Sequence, residues 1–253
     1  METNKSCDWF ENWFDSPYYH ILYKHRNHKE AELLIDNLVT YLAPAQDASF
    51  LDLACGKGRH SVYLNKKGFD VTGIDLSPEN IACASSLITS TNRNTLRFFV
   101  KDMRKIGLQS QFDFILNLFT SFGYFEDEGD DYDTIEAVSK ALKPGGTFIL
   151  DFMNVQKIIA NLVVHEVKII DDIEFEITKS IENQFIVKRI HFFDKGKEYH
   201  FQERVKALTL KDFEKYLSAS GFKIVDLRGN YNLEKFEPER SWRLIIIAKK
   251  EGY

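Results

Sequence analysis

Short apolar runs alternate with amphipathic segments between residues 49 and 152. The runs predict strands over residues 49–54, 69–75, 96–100, 112–118 and 147–152. The segments between them predict helices over residues 59–67, 78–89 and 131–142. Ser77 is placed to cap the second of these helices, with Pro78 in its first position. This alternation is typical of a doubly wound α/β fold, whose ligands bind beyond the carboxyl ends of the strands.

The pattern changes after Asn154. Residues 163–207 contain β-rich segments with turn signals, and they predict antiparallel strands, the last two joined by a hairpin at residues 194–197. A helix over residues 210–220 and strands over 222–227 and 242–248 then resume the earlier pattern. We therefore predict a single domain with a mostly parallel seven-stranded sheet and an antiparallel β insertion after strand five. Its predicted parts are an N-terminal helical cap (1–45), a core (46–154), the insertion (155–208) and closing elements (209–253).

Composition narrows the possible partners of the chain. The 253 residues carry 33 basic and 38 acidic side chains, a formal charge of −5 that argues against a nucleic-acid ligand. Three cysteines match no zinc or haem spacing and suit a reducing compartment. The polar start lacks the apolar core of a signal peptide, and no apolar run approaches the roughly 18 residues that span a membrane. We predict a cytoplasmic protein with no membrane or nucleic-acid partner.

The sharpest local signal is the sequence LDLACGKGRH over residues 51–60. Its Asp52, Gly56 and Gly58 lie at a predicted strand-to-helix turn, where glycines let a ligand approach the backbone closely. Asp75 ends the next predicted strand, where a carboxylate can accept both hydroxyls of a ribose. Dinucleotide-binding enzymes share these features, so an NAD-dependent oxidoreductase is one interpretation.

Two residues favour another cofactor. A dinucleotide site requires a third glycine where this chain has Ser61. Asp52 also precedes the glycines, and its carboxylate would repel a pyrophosphate but attract the ammonium group of an amino acid. S-adenosylmethionine carries such an ammonium group and no phosphate.

The motifs resemble those of class I S-adenosylmethionine-dependent methyltransferases, which have a Rossmann-like fold. LDLACGKGRH resembles motif I, GIDLS (73–77) the ribose-binding acidic loop, KDM (101–103) the adenine loop, and LKPGGTFILDF (142–152) the motif before the fifth strand. FDFILNLFTSFGYF (112–125) resembles the fourth strand and its loop, without the N-P-P-Y-like tetrapeptide of many base or glutamine methyltransferases. Ala54 stands where the family often has glycine. The resemblance implies cofactor contacts at Asp52, Ala54, Gly56, Gly58, Asp75, Leu76, Asp102, Met103, Asn117 and Leu118.

An N-terminal stretch extends the resemblance. YYHILYKHR (18–26) is similar to the cap of small-molecule methyltransferases that act on amino sugars or glycine. The similarity implies that Tyr19, Tyr23 and Arg26 reach the carboxylate of the cofactor. Packed tyrosines beside a solvated arginine are the alternative. The aromatic residues 9, 10, 13 and 14 are predicted either to cover the edge of the core or to form a lid.

Other polar residues carry weaker signals. Arg189, His191, His200 and Arg204 lie on predicted strands of the insertion, where solvated side chains are expected. The acidic run at residues 127–133 is predicted to be a solvated loop, and no metal site is predicted. We predict N- or O-methylation of a small molecule, with no assigned catalytic residue and no predicted oligomeric state. An NAD-dependent oxidoreductase and a non-catalytic S-adenosylmethionine-binding module are the alternatives.

Overall fold

The computed structural model describes residues 9–24 and 28–252. It divides into two compact units, which we call the core unit (Asn27–Ala160 and Leu208–Tyr253) and the insertion unit (Met1–Arg26 and Asn161–Ala207). The strands are β1 (Ser49–Leu53), β2 (Asp70–Asp75), β3 (Leu96–Val100), β4 (Phe112–Asn117), β5 (Leu142–Met153), β6 (His165–Ile170), β7 (Ile173–Glu182), β8 (Phe185–Asp194), β9 (Lys197–Lys206), β10 (Phe222–Arg228) and β11 (Arg243–Lys250). The helices are α1 (Trp9–Phe14), α2 (Pro17–Leu22), α3 (His28–Leu42), α4 (Arg59–Lys66), α5 (Pro78–Ser85), α6 (Glu128–Ala141), α7 (Val155–Ala160) and α8 (Leu210–Ala219).

The core unit contains a seven-stranded sheet in the order β10-β11-β5-β4-β1-β2-β3. The strands from β5 to β3 pair in parallel, whereas β11 runs antiparallel between β5 and β10. The order reverses between β1 and β4, which brings the carboxyl ends of these two central strands together. The prediction of a doubly wound, mostly parallel seven-stranded sheet is therefore confirmed.

Apolar side chains of the central strands form the core of this unit. Leu51, Leu53 and Ile115 are fully buried, as the continuous apolar runs in the sequence predict for strands covered on both faces. Each such side chain contributes roughly 1.5–3 kcal/mol through its removal from water. The central strands are consequently a rigid support for the loops at their ends.

The two largest differences between predicted and observed boundaries are in α5 and β5. The helix predicted over residues 78–89 ends at Ser85, and β5 begins five residues before the predicted start, because Leu142 already pairs with Phe112. The acidic run predicted as a solvated loop instead starts α6. Asp127 caps its first turn by accepting a hydrogen bond from the Gly129 amide. Acidic side chains suit that position because the helix dipole is positive at its N-terminus.

The insertion unit is a four-stranded antiparallel sheet in the order β6-β7-β8-β9, with the predicted hairpin between β8 and β9. One face is apolar and is covered by the short helices α1 and α2. Trp13 and Leu22 pack there with Phe175, Ile177 and Phe192, all of them buried. The rings of Trp13 and Phe14 in α1 thus pack on the core of the insertion sheet. No helix in residues 9–24 and 28–252 is long and apolar enough to cross a membrane.

Candidate functional site

The turn after β1 has a backbone that favours glycine. Ala54, Gly56 and Gly58 all have positive φ angles, of 59°, 54° and 79°. A Cβ on Gly58 would lie 2.8 Å from Cζ of Phe98, whereas one on Gly56 would meet no atom within 4 Å. The turn is therefore packed from behind at Gly58 and open at Gly56. Ala54 has a side chain where the conformation is strained, which explains why glycine is common at this position of the motif.

Asp52 is an almost completely buried acid at the end of β1. Its Oδ2 accepts a hydrogen bond of 2.6 Å from the Ser61 hydroxyl. Burial, assisted by the nearby charge of Asp75, raises the pKa of Asp52 to about 6, against the opposing hydrogen bond from Ser61. Ser61, which replaces the third glycine of a dinucleotide motif, thus has a defined role as the partner of this acid.

Asp75 organises the same turn from the end of β2. One of its oxygens accepts a hydrogen bond from the Gly56 amide at 2.8 Å, and the other accepts one from the Ser77 amide at 2.9 Å. The carboxylate remains partly exposed, and the neighbouring Leu76 is an exposed apolar side chain. An acid with both oxygens fixed and an accessible edge can accept further hydrogen bonds from hydroxyl groups.

Asp102 lies after β3 and forms an ion pair with Arg104. Its two oxygens accept hydrogen bonds from the Arg104 amide at 2.9 Å and from the guanidinium at 2.6 Å. Burial alone would raise the pKa of Asp102, but these hydrogen bonds hold it below its usual value. Met103 begins the 3₁₀ turn that follows. An adenine amine would therefore share this carboxylate with Arg104.

Asn117 joins the ends of β1 and β4. Its side chain is fully buried, and Nδ2 donates to the carbonyls of Leu53 and Ser121, each at 3.2 Å. Its Oδ1 has no hydrogen-bond partner among the described residues. The next residue, Leu118, is buried and contributes to the core. A buried acceptor without a donor suits a ligand that brings a hydrogen-bond donor.

Asp151, a fully buried acid near the end of β5, was not among the site residues predicted from the sequence. Its side chain accepts hydrogen bonds from the Phe119 amide (2.9 Å), the Tyr231 hydroxyl (3.1 Å) and Nε of Arg243 (2.7 Å). Phe119 and Thr120, in the loop after β4, both have positive φ angles. Asp151 thus holds a strained loop at the carboxyl edge of the sheet. The feature of the sequence that could have indicated Asp151 is an acidic residue within the apolar run at residues 147–152.

Two of the three predicted cap residues, Tyr19 and Tyr23, lie in the insertion unit. The Tyr23 hydroxyl donates to Oε1 of Glu203 at 2.7 Å, and the indole Nε1 of Trp13 donates to the same oxygen at 2.7 Å. The Tyr19 ring packs edge-on against the ring of Phe14. Arg26 lies outside the described residues. The predicted contacts of these three residues with the cofactor remain predictions.

Comparisons with known proteins indicate the family of this chain. A family model described as "Methyltransferase domain" matches residues 50–146, which contain the glycine turn and all the acids predicted from the motifs. The Bacillus subtilis (strain 168) protein YqeM, a methyltransferase by name, is 30% identical over 214 residues, covering 79% of this chain and 83% of YqeM.

Two further similarities concern the overall structure and a shorter stretch of sequence. The crystal structure of an S-adenosylmethionine-dependent methyltransferase from Clostridium acetobutylicum ATCC 824 matches with a TM-score of 0.77 at 25% identity, covering 95% of this chain and 99% of that one. A glycine/sarcosine N-methyltransferase of Aphanothece halophytica is 33% identical over 131 residues, which cover 51% of this chain and 48% of that protein.

Proposed function

The chain belongs to the S-adenosylmethionine-dependent methyltransferases, and on that premise we propose that it transfers the methyl group to nitrogen or oxygen of a small molecule. The observation that carries the proposal is the acidic glycine turn, in which Asp75 fixes the Gly56 amide beside the buried Asp52. The likeness to a glycine/sarcosine N-methyltransferase supports a small acceptor.

The residues at this edge fit S-adenosylmethionine. Asp52 and Oδ1 of Asn117 offer acceptors for an ammonium group, and burial, assisted by the charge of Asp75, raises the pKa of Asp52. The positions that we assign to the cofactor are Asp52, Ala54, Gly56 and Gly58 for the methionine part, Asp75 and Leu76 for the ribose, Asp102 and Met103 for the adenine, and Asn117 and Leu118 as backbone lining. Tyr19, Tyr23 and Arg26 complete the proposed set from the resemblance of the cap.

In methyl transfer from this cofactor, the main role of the protein is to align the reacting groups. When bound, S-adenosylmethionine supplies a methyl group on a positively charged sulfur, which a neutral amine or a deprotonated oxygen displaces in line. The glycine turn and Asp75 fix the position of the cofactor, and the buried Asp52 balances its positive charge. Asp151 holds the loop after β4 in place, so that this loop excludes water in a fixed conformation.

We also propose that the protein acts in the cytoplasm as a single functional domain. The described cysteines, Cys55 and Cys83, are unpaired thiols, which suits a reducing compartment. The separate insertion sheet supports its assignment as an inserted subdomain of one enzyme, with residues 155–208 between the core and the closing elements.

Calorimetry with two ligands tests the proposed cofactor contacts. S-adenosylhomocysteine should bind, and NAD should not. Asp75→Asn should weaken S-adenosylhomocysteine binding by about tenfold or more, since charge-assisted hydrogen bonds to the ribose are lost. Asp70→Asn is the matched control, because Asp70 begins the same strand and pairs with Arg97. Equal affinities of the wild type and Asp75→Asn would reject the ribose assignment.

The acceptor class needs a separate experiment. The enzyme is incubated with methyl-labelled S-adenosylmethionine and a cell extract that has been divided into low-mass, protein and nucleic-acid fractions. Label in the low-mass fraction is expected. Label that enters only protein or nucleic acid would overturn the small-molecule proposal, and a folded enzyme that binds S-adenosylhomocysteine but labels nothing would favour a non-catalytic binding module.

A further inference from the structure

The polar face of the insertion sheet brings together histidines and glutamates from neighbouring strands. In the registers of β7, β8 and β9, Glu176 lies opposite His191, and His191 lies opposite His200. Glu198 is two residues before His200 on β9, so it projects from the same face. Glu176, His191 and His200 also line one solvent-open depression on this face.

Three of these side chains converge on one point. Oε1 of Glu198 lies 2.9 Å from Nε2 of His191 and 3.2 Å from Nε2 of His200. The two imidazole rings stack with their centroids 4.7 Å apart and their planes 19° from parallel. The ligand atoms of these three residues all lie within 4.8 Å of one another. Small rotations of the side chains therefore allow all three to contact one ion.

A further carboxylate orients the central histidine. Nδ1 of His191 lies 3.2 Å from Oε2 of Glu176, while the other oxygen of Glu176 lies 3.1 Å from Nε2 of His165. In metal sites, a ligating histidine commonly donates its second N–H to a carboxylate, which fixes the ring and the tautomer. Glu176 occupies that position, so Nε2 of His191 is the nitrogen directed towards Glu198 and His200.

We propose that His191, Glu198 and His200 bind a divalent transition-metal ion of the Zn²⁺ type, with water completing the coordination. Two imidazoles and one carboxylate are a donor set that suits Zn²⁺ and disfavours Mg²⁺ and Ca²⁺, which prefer oxygen ligands. The guanidinium group of Arg189, which shares this face of β8 with His191, is bound in a bidentate manner by Glu182 and does not oppose a cation with its full charge. Because the ligands come from both strands of the β8–β9 hairpin, the ion would link these strands.

Titration of the full-length protein with Zn²⁺ tests this site. Wild type should bind one equivalent that His200→Ala and Glu198→Gln each weaken by more than about tenfold, while Glu176→Gln weakens it by about tenfold through loss of the orienting contact. Glu174→Gln is the matched control, since Glu174 is an exposed carboxylate on the polar face of β7 and is not one of the ligands. Zn²⁺ should also raise the Tm of wild type and Glu174→Gln more than that of His200→Ala.

Two further measurements serve as controls. The metal-free variants should have the same Tm as the metal-free wild type, which would show that they fold. Co²⁺ as a probe should give visible d–d bands in wild type that His200→Ala loses, whereas Mg²⁺ and Ca²⁺ should not compete. If Zn²⁺ binds the wild type and His200→Ala with equal affinity, or if Glu174→Gln weakens binding as much as Glu198→Gln, the three residues are not the site.

Discussion

Two buried aspartates at the edge of one sheet are treated differently by their surroundings. Asp151, near the end of β5, has Arg243, Tyr231 and a backbone amide as partners. Asp52, at the end of β1, has the hydroxyl of Ser61 and no ion pair among the described residues. The first acid is neutralised by the protein itself and holds a loop. The second is left short of positive charge, which is the condition for binding a cationic ligand.

The largest effect is expected when Asp151 is changed. Asp151→Asn leaves the largely buried guanidinium of Arg243 without its counter-charge, which should lower the free energy of unfolding by about 3 kcal/mol or more. Urea unfolding at neutral pH measures this loss. An unchanged midpoint would show that the pair does not stabilise the fold, and the contrast between the two acids would fail.

Asp52→Asn should instead raise the free energy of unfolding. The pKa of Asp52 in the folded state, about 6, lies above the ordinary aspartate value of 3.8. The folded state therefore holds the proton more tightly, so ionisation of Asp52 costs stability progressively as the pH rises from about 4 to 6. The asparagine can still accept from Ser61 without that cost. At pH 7 we expect the free energy of unfolding of Asp52→Asn to exceed that of the wild type by about 2–3 kcal/mol, because each pK unit corresponds to about 1.4 kcal/mol.

The pH dependence of that gain provides its control. At pH 4 the wild type and Asp52→Asn should have nearly equal stability, because the wild-type acid is then largely protonated in the folded state. A constant difference between pH 4 and pH 7 would mean that the variant acts through packing and not through the charge of Asp52.

The sequence predicted the parallel sheet and the glycine turn because both depend on local patterns. The apolar runs are contiguous, and Asp52, Gly56 and Gly58 lie within one strand-to-turn segment. The pair Asp151–Arg243 joins residues 92 positions apart, through the antiparallel register of β5 and β11. No local pattern specifies that register. His191 and Glu198 are close in sequence, on the two strands of the predicted hairpin, but the sequence analysis did not work out the register that brings their side chains together.

Not every miss was a matter of distance along the chain. The partner of Asp102 is Arg104, only two residues away. The residue spacing gives no indication of which group an acid in a loop selects, because that depends on the 3₁₀ turn at Met103–Lys105. The sequence thus identified the acids at the cofactor edge better than it identified their partners.

The charge of Asp52 should also appear in ligand binding. An ammonium group binds the ionised form of Asp52, so the affinity for S-adenosylhomocysteine should fall by up to about tenfold for each pH unit below the folded pKa near 6. Calorimetry between pH 5 and pH 8 measures this profile. In Asp52→Asn the affinity at pH 8 should be weaker and the profile flatter. A wild-type profile that is flat across this range would remove Asp52 from the cofactor site.

The smallest effect is expected in the backbone of the glycine turn that follows Asp52. Ala54 adopts a φ angle of 59°, in the left-handed region where a Cβ costs roughly 1 kcal/mol. Ala54→Gly removes that strain but increases the entropy of the unfolded chain, which offsets part of the gain. We expect the free energy of unfolding to rise by less than about 1 kcal/mol.

Gly58→Ala is the matched reverse change, because it introduces a Cβ at positive φ that contacts Phe98, and it should destabilise the protein clearly. If Ala54→Gly destabilised the protein as much as Gly58→Ala does, the methyl group of Ala54 would contribute packing that outweighs its strain. The turn would then owe its shape to side-chain contacts and not to the hydrogen bond between Asp75 and Gly56.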